Sequence, residues 1–267
     1  MAAQLSQAAS LRDQLKKELS SPSGNLDRCG ELLVQLKIIL TQLSFLVLDA
    51  RKSPDVKELV LARDVLELGA QYATKRGEIE EFERYISQLK TYYHDYKSLL
   101  PPSEKQYSLL GLNLLNLLAQ NRISEFHTEL ESLPPEELTS NMYLRHPVEV
   151  EQYLMEGSYG KVVHSRENVP ATEYAFFMDI LMGTIRDEIA SCSAKAYTGL
   201  PIPDAVTLLY FKNREEVLEF AKRKEWNVNL QENKIYFATT GSGQSEIPSE
   251  KMIRQTLSYA RELERIV

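Results

Sequence analysis

From about residue 28 to residue 170 the apolar positions recur every three or four residues, segment after segment, and that period places them on helix faces. The clearest stripe is Ile79, Phe82, Ile86, Leu89, Tyr93 and Tyr96. Before it, Leu59, Ala62, Leu66, Ala70 and Ala73 make one face while Leu61, Val65, Leu68 and Tyr72 make another, which predicts a helix packed on two sides. Arg76-Gly77 separates these two helices. A second pair places Tyr107, Leu110, Leu114 and Leu117 before Asn121-Arg122, then Ile123, Phe126 and Leu130, and closes at Pro134-Pro135. A third runs from Pro147 through Met155, turns at Gly157-Ser158 and continues over Tyr159, Val162 and Val163. The hairpins succeed one another at roughly 35 to 50 residues, the spacing of tetratricopeptide-like solenoids, although no sequence is repeated. Loops are short, as at Ser20 to Gly24, so no long linker separates independent domains.

Beyond residue 170 the pattern changes. Tyr174, Phe177, Leu181, Ile185 and Ile189 predict a long helix ending near Tyr197. Leu200-Pro201-Ile202 reads as an edge strand, because proline donates nothing to a central ladder. Pro203 suits the first turn of a helix carrying Ala205, Leu208 and Leu209, and a further helix carries Val217, Leu218, Phe220 and Ala221. Trp226-Asn227-Val228 and Lys234-Ile235-Tyr236-Phe237 flank a Gln231-Glu232-Asn233 turn as a hairpin. Helix, strand, two short helices and hairpin follow in winged-helix order. Gly241 to Ser245 reads as a hinge, and Pro248-Ser249-Glu250 opens a last helix with Ile253, Leu257, Ala260, Leu263 and Val267 along one side.

Composition narrows the function classes. The 267 residues fit about two domains, and 43% apolar content supplies a sizeable core. With 31 Lys and Arg against 38 Asp and Glu the net charge is −7, which opposes binding of nucleic acid or anionic membranes through bulk charge. The longest apolar runs are short, such as Phe45 to Leu48, and the first residues lack a signal-peptide core, since Leu5, Ala8, Leu15 and Leu19 fall at helical spacing among charges. An intracellular protein is expected, with Cys29 and Cys192 as small buried hydrophobes.

Candidate chemistry is sparse. His94, His127, His146 and His164 lie at least 18 residues apart with no zinc-hydrolase spacing, so no metal and no cofactor is expected. Acids beside Cys192 oppose a thiolate. Gly157 to Val162 departs from a phosphate loop at Met155 and Val162. Glu78, Glu80, Glu81 and Glu83 complement a helix start. The winged-helix region, residues 171 to 245, holds eight basic and ten acidic residues, and the helix around 214 to 225 mixes Arg214 and Lys222-Arg223-Lys224 with Glu215, Glu216, Glu219 and Glu225, so nucleic acid is not the expected ligand.

The order of elements resembles the PCI family, scaffold subunits of the proteasome lid, the COP9 signalosome and a translation initiation factor. Residues 61 to 67 (Leu-Ala-Arg-Asp-Val-Leu-Glu), 111 to 115, 121 to 130, 146 to 159, 176 to 181, 185 to 190 and 259 to 267 resemble the proteasome-lid members, and the likeness extends over roughly residues 25 to 267. Residues 1–24 are unmatched. The resemblance implies a mainly α fold: a right-handed tetratricopeptide-like helical-hairpin solenoid (25–170), a winged-helix module with a small β hairpin (171–245) and a C-terminal assembly helix (246–267). It implies a non-catalytic lid scaffold in cytoplasm and nucleus, with other lid subunits as partners and regulatory subunit 3 as close neighbour. The expected interface residues are Trp226, Val228, Ile235, Tyr236 and Phe237 in the wing, and Ile253, Leu257, Ala260 and Leu263 on a final helix entering a helical bundle. A signalosome or initiation-factor subunit, a winged-helix nucleic-acid binder and a cysteine hydrolase at Cys192 are the competing readings.

Overall fold

The computed structural model describes residues 2–21, 25–42, 56–97, 99–229, 231–237 and 249–265. The Phe45 to Leu48 run, the Gly241 to Ser245 hinge and Val267 lie outside them. The described residues are mainly helical, with one small antiparallel sheet, and divide into two compact units, Met1–Ile185 and Arg186–Val267.

In the first unit, α1 (Ala2–Ser20), α2 (Leu26–Gln42) and α3 (Val56–Arg76) pack together around Ala8, Leu15, Leu19, Leu33, Leu36, Leu61, Val65 and Tyr72. Cys29 joins this cluster, as its apolar setting predicts. Both predicted faces of α3 are covered, one by α1 and α2 and the other by α4 (Ile79–His94). Then come α5 (Gln106–Ala119), α6 (Ile123–Glu131), the short α7 (Pro135–Ser140), α8 (Met142–Met155) and α9 (Tyr159–Ser165). Every residue of α5 from Leu109 to Ala119 is buried, because the helix packs against α3, α4, α6 and α8. The leading part of α10 (Thr172–Ala196) touches both α4 and α5: Phe177 packs on Phe82 with ring centroids 5.3 Å apart, and the Thr184 hydroxyl donates to the Ala119 carbonyl at 2.7 Å.

Two expectations need correction. The third hairpin does not begin at Pro147. Asn141 caps α8 well before it, its side-chain oxygen accepting from the Tyr143 N–H at 3.1 Å, and Pro147 sits inside the helix. Proline has no N–H for the Tyr143 carbonyl. That carbonyl instead accepts from the Tyr174 hydroxyl at 3.3 Å, which also donates to the Ser108 carbonyl at 3.0 Å. Gly111 makes this possible, since a Cβ there would overlap both the Tyr174 hydroxyl and the Tyr143 oxygen. Cys192 is likewise exposed, because the buried face of α10 at that level is carried by Ile189, Ala190 and Ser193.

A charged network lies inside the same unit. Arg63, 7% exposed, donates to the Pro101 carbonyl and to Asp64, and its Nε stands 3.7 Å from Glu67, 4% exposed. The Tyr93 hydroxyl donates to Glu67 at 2.9 Å. Burial raises the Glu67 carboxyl above its ordinary value against the opposing hydrogen bonds and the Arg63 charge. Glu83, in the second turn of α4, accepts from Asn116, Gln120 and Arg122 and ties α4 to the end of α5.

Five helices, drawn from both units, end alike. Gly77, Asn121, Gly157, Tyr210 and Glu225 have positive φ, and the next N–H returns five residues to a helix carbonyl: Glu78 to Ala73, Arg122 to Leu117, Ser158 to Tyr153, Phe211 to Val206, Trp226 to Ala221. This is the Schellman arrangement, costless for glycine and strained for Tyr210 and Glu225.

In the second unit β1 (Gly199–Pro201), α11 (Ile202–Leu208), α12 (Arg214–Arg223), β2 (Asn227–Asn229) and β3 (Lys234–Tyr236) follow the predicted winged-helix order. The sheet runs β1-β3-β2, so the proline-bearing strand is an edge. Leu200, Ile235 and Val228 are in register across it and cover a core of Ile202, Ala205, Val217, Ile235 and Phe237. Arg186 donates to the Leu209 and Tyr210 carbonyls and lies over the Phe211 ring, holding the α11–α12 turn. Last comes α13 (Ser249–Glu264).

Candidate protein-binding surfaces

The sheet sorts the wing residues by the two-residue alternation of strands. Ile235 is fully buried and Phe237 is buried, while Trp226 and Val228 are half-buried against the same core. Trp226 stands edge-on to Phe237 at 4.8 Å and to Phe220 at 5.7 Å, so its ring is part of an aromatic stack inside the module. Of the five wing positions expected at an interface, Tyr236 is the one whose side chain reaches the outer sheet face. It is 38% exposed, its ring crosses the Gly199 position, and its hydroxyl donates to Glu232 at 2.6 Å, an exposed pairing that raises the phenol above its ordinary value.

α13 is the reverse case. None of its described side chains is buried. Ile253 is 59%, Leu257 56% and Leu263 66% exposed, with Ala260 between them. Met252 and Tyr259, absent from the sequence-based set, are equally exposed and belong to the same surface. At about 100° per residue, Tyr259, Met252, Leu263, Ala260, Ile253 and Leu257 span an arc of about 160°, which also holds Ser249, Thr256 and Glu264. An apolar arc that wide exceeds the two-position seam of a paired coiled coil and matches the one-sided apolar face of a helix packed on a core.

The chemical alternatives find little in the geometry. No group of three or more potential metal ligands occurs among the described residues. The histidines stay apart: His146 is buried with its Nε2 3.3 Å from the Ser165 carbonyl, His127 faces Glu151, and His164 faces Glu167. Burial pushes His146 below the ordinary imidazole range. Within the basic trio, Lys224 pairs with Asp187 at 3.0 Å, and both Arg223 and Lys224 lie over the Phe220 ring. No helix among the described residues is long and apolar enough to cross a membrane.

Residues 104–246, from the last turn before α5 through the sheet, match the family described as CSN8/PSMD8/EIF3K. The chain belongs to this family. The CSN8/PSMD8/EIF3K match takes in the array from α5 onward and the winged-helix module, and it stops short of α13. Likeness to individual proteins reaches further along the chain. A protein of Arabidopsis thaliana named 26S proteasome non-ATPase regulatory subunit 8 homolog A is 46% identical over 244 residues, 90% of each chain. The Caenorhabditis elegans protein named 26S proteasome non-ATPase regulatory subunit 8 is 34% identical across 88% of this chain and 93% of its own. In Saccharomyces cerevisiae, 26S proteasome regulatory subunit RPN12 is 32% identical across 95% and 98%. Several strings behind the resemblance fall on packing joints of this CSN8/PSMD8/EIF3K member: Arg63 and Glu67 in the buried network, Gly111 beneath Tyr174, Asn121 at a helix end, and Pro147 within α8.

Proposed function

We propose that this chain is a non-catalytic structural subunit of the regulatory-particle lid of the 26S proteasome, supporting lid assembly and ATP- and ubiquitin-dependent protein degradation through protein contacts. The observation that carries it is α13, a helix exposing Met252, Ile253, Leu257, Tyr259 and Leu263, in a chain alike over nine-tenths of its length to proteins named proteasome regulatory subunits. Large apolar side chains on one helix face cost solvation unless a partner covers them. In this reading the array of residues 25–170 is a spacer, and the module of 171–245 meets neighbouring PCI-type subunits through its outer sheet face around Tyr236. Regulatory subunit 3 is the expected close neighbour, and residues 246–267 enter a multi-subunit helical bundle. Neither nucleic acid nor membrane takes part, no metal or cofactor is required, and the protein works in cytoplasm and nucleus.

The test is a chain truncated after residue 247, offered to lid particles lacking this subunit. Incorporation should fall at least tenfold while far-UV circular dichroism of the remainder keeps its helical signature. Equal incorporation of truncated and full-length chains overturns the bundle assignment. Because the family description spans three complexes, co-purification with signalosome or initiation-factor subunits would move the scaffold reading to one of those assemblies.

A further inference from the structure

The apolar arc occupies less than half of α13, and the opposite side is ordered too. From 249 onward the described charges are four basic and three acidic, close to balance, yet their positions are segregated. At about 100° per residue, Lys251, Arg254, Ser258, Arg261 and Arg265 form one line at spacings of three and four, within an arc of about 80° that holds no acid. Glu250 and Glu262 border it. The line is about 21 Å long.

Two ordinary explanations account for only part of this. Arg261 and Arg265 lie at the helix C-terminal end, where cations are favoured by the dipole, but Lys251 and Arg254 lie in the first two turns, where they are opposed by it. Arg254 pairs with Glu250 and Arg265 with Glu262, but the four side chains are 65 to 80% exposed, so these bonds are weak and exchangeable.

We propose that this basic line docks against an acidic protein surface, specifically a neighbouring helix bearing carboxylates at every third or fourth position, so that α13 is enclosed on two sides when assembled. The proposal rests on the reading that α13 docks into an assembly. It adds the chemistry of a second neighbour: the apolar arc takes apolar helix faces and the basic line takes Asp and Glu side chains. A helix with carboxylates at that spacing repeats at the same pitch as the basic line, which gives charge complementarity along its whole length. The net charge of −7 disfavours a polyanionic nucleic acid as the alternative occupant.

The experiment measures association of full-length chain with lid particles lacking it, at about 50 mM and 500 mM salt, for wild type, Arg254→Gln/Arg261→Gln, Ser258→Asp and Leu257→Asp, each with and without nuclease. The double glutamine variant and Ser258→Asp, which places a carboxylate amid the basic line, should bind about five- to tenfold more weakly at low salt and converge on wild type at high salt, where exposed charges are screened. Leu257→Asp should fail at both. If the charge variants match wild type at both salts while Leu257→Asp fails, the basic line has no acidic partner and the docking reading survives. If Leu257→Asp also binds like wild type, the docking reading falls with it. Loss of the salt-dependent part on nuclease treatment would assign the line to nucleic acid and overturn the proposal.

Discussion

Replacing Gly111 by alanine should destabilise the first unit, although alanine is the better helix former. At an unconstrained helical position the exchange gains about 0.5–1 kcal/mol. Gly183, in α10, is such a position, with nothing within 4 Å of where a methyl would stand, and Gly183→Ala should raise the melting temperature by a few degrees. At Gly111 the methyl meets the Tyr143 carbonyl oxygen, a backbone atom, and the hydroxyl of a fully buried Tyr174. Neither can swing away, so α5 and α8 must part or the Tyr174 hydroxyl must leave its two carbonyls. Overpacking of this kind costs about 1–3 kcal/mol, and a buried carbonyl left without a donor adds about 1 kcal/mol or more. Against the propensity gain the net loss is about 2 kcal/mol, or roughly 4–8 °C in a domain of this size. Tyr174→Phe in the same background should recover part of the loss, because the hydroxyl contact goes and the backbone contact stays. Thermal unfolding followed by circular dichroism at 222 nm measures all four proteins. A Gly111→Ala melting point equal to or above wild type refutes the account of how α5, α8 and α10 meet.

Three further outcomes are expected. The His146 imidazole has its folded value below the ordinary one, so the unfolded chain takes up the proton more readily; stability holds above about pH 6.5 and is lost as pH falls from there toward the folded value. Urea midpoints between pH 7.5 and 5 should therefore fall less in His146→Gln than in wild type, and parallel slopes would refute this. Glu225→Gly should stabilise the winged-helix module by about 1 kcal/mol by relieving its left-handed backbone, read as a higher urea midpoint of Trp226 fluorescence; an unchanged or lower midpoint would show that no strain resides there. Arg63→Met should cost about 3 kcal/mol in a urea titration, since it strands the buried Glu67; a loss under 1 kcal/mol would mean that the network is hydrated.

Much of the architecture is legible in the sequence because it is written in period and punctuation. Gly77, Asn121 and Gly157 mark helix ends through backbone conformations that few residues adopt, and the stripe from Phe82 to Tyr93 buries as its spacing requires. The start of α8 is hidden because Pro147 resembles a helix opener, whereas the capping signal is Asn141 and the proline's lost bond is made good by a tyrosine 27 residues later in the chain. Arg63 and Glu67 give no signal, since charged residues read as solvent-facing until tertiary packing pairs them. In the wing, alternation alone turns Ile235 and Phe237 inward and Tyr236 outward. On α13, Met252 and Tyr259 continue the same three-and-four spacing, and counting charges hides a segregation that placing them on the helix reveals.

In the function proposed, the protein acts as a built-in part of the proteasome lid. The most direct measurement is affinity purification of the tagged chain from native extract, followed by sizing and peptidase assay with and without ATP. Co-migration with other lid subunits and with ATP-stimulated peptidase activity is the expected result. Recovery as a free 30.6 kDa species, or bound to nucleic acid, would contradict it.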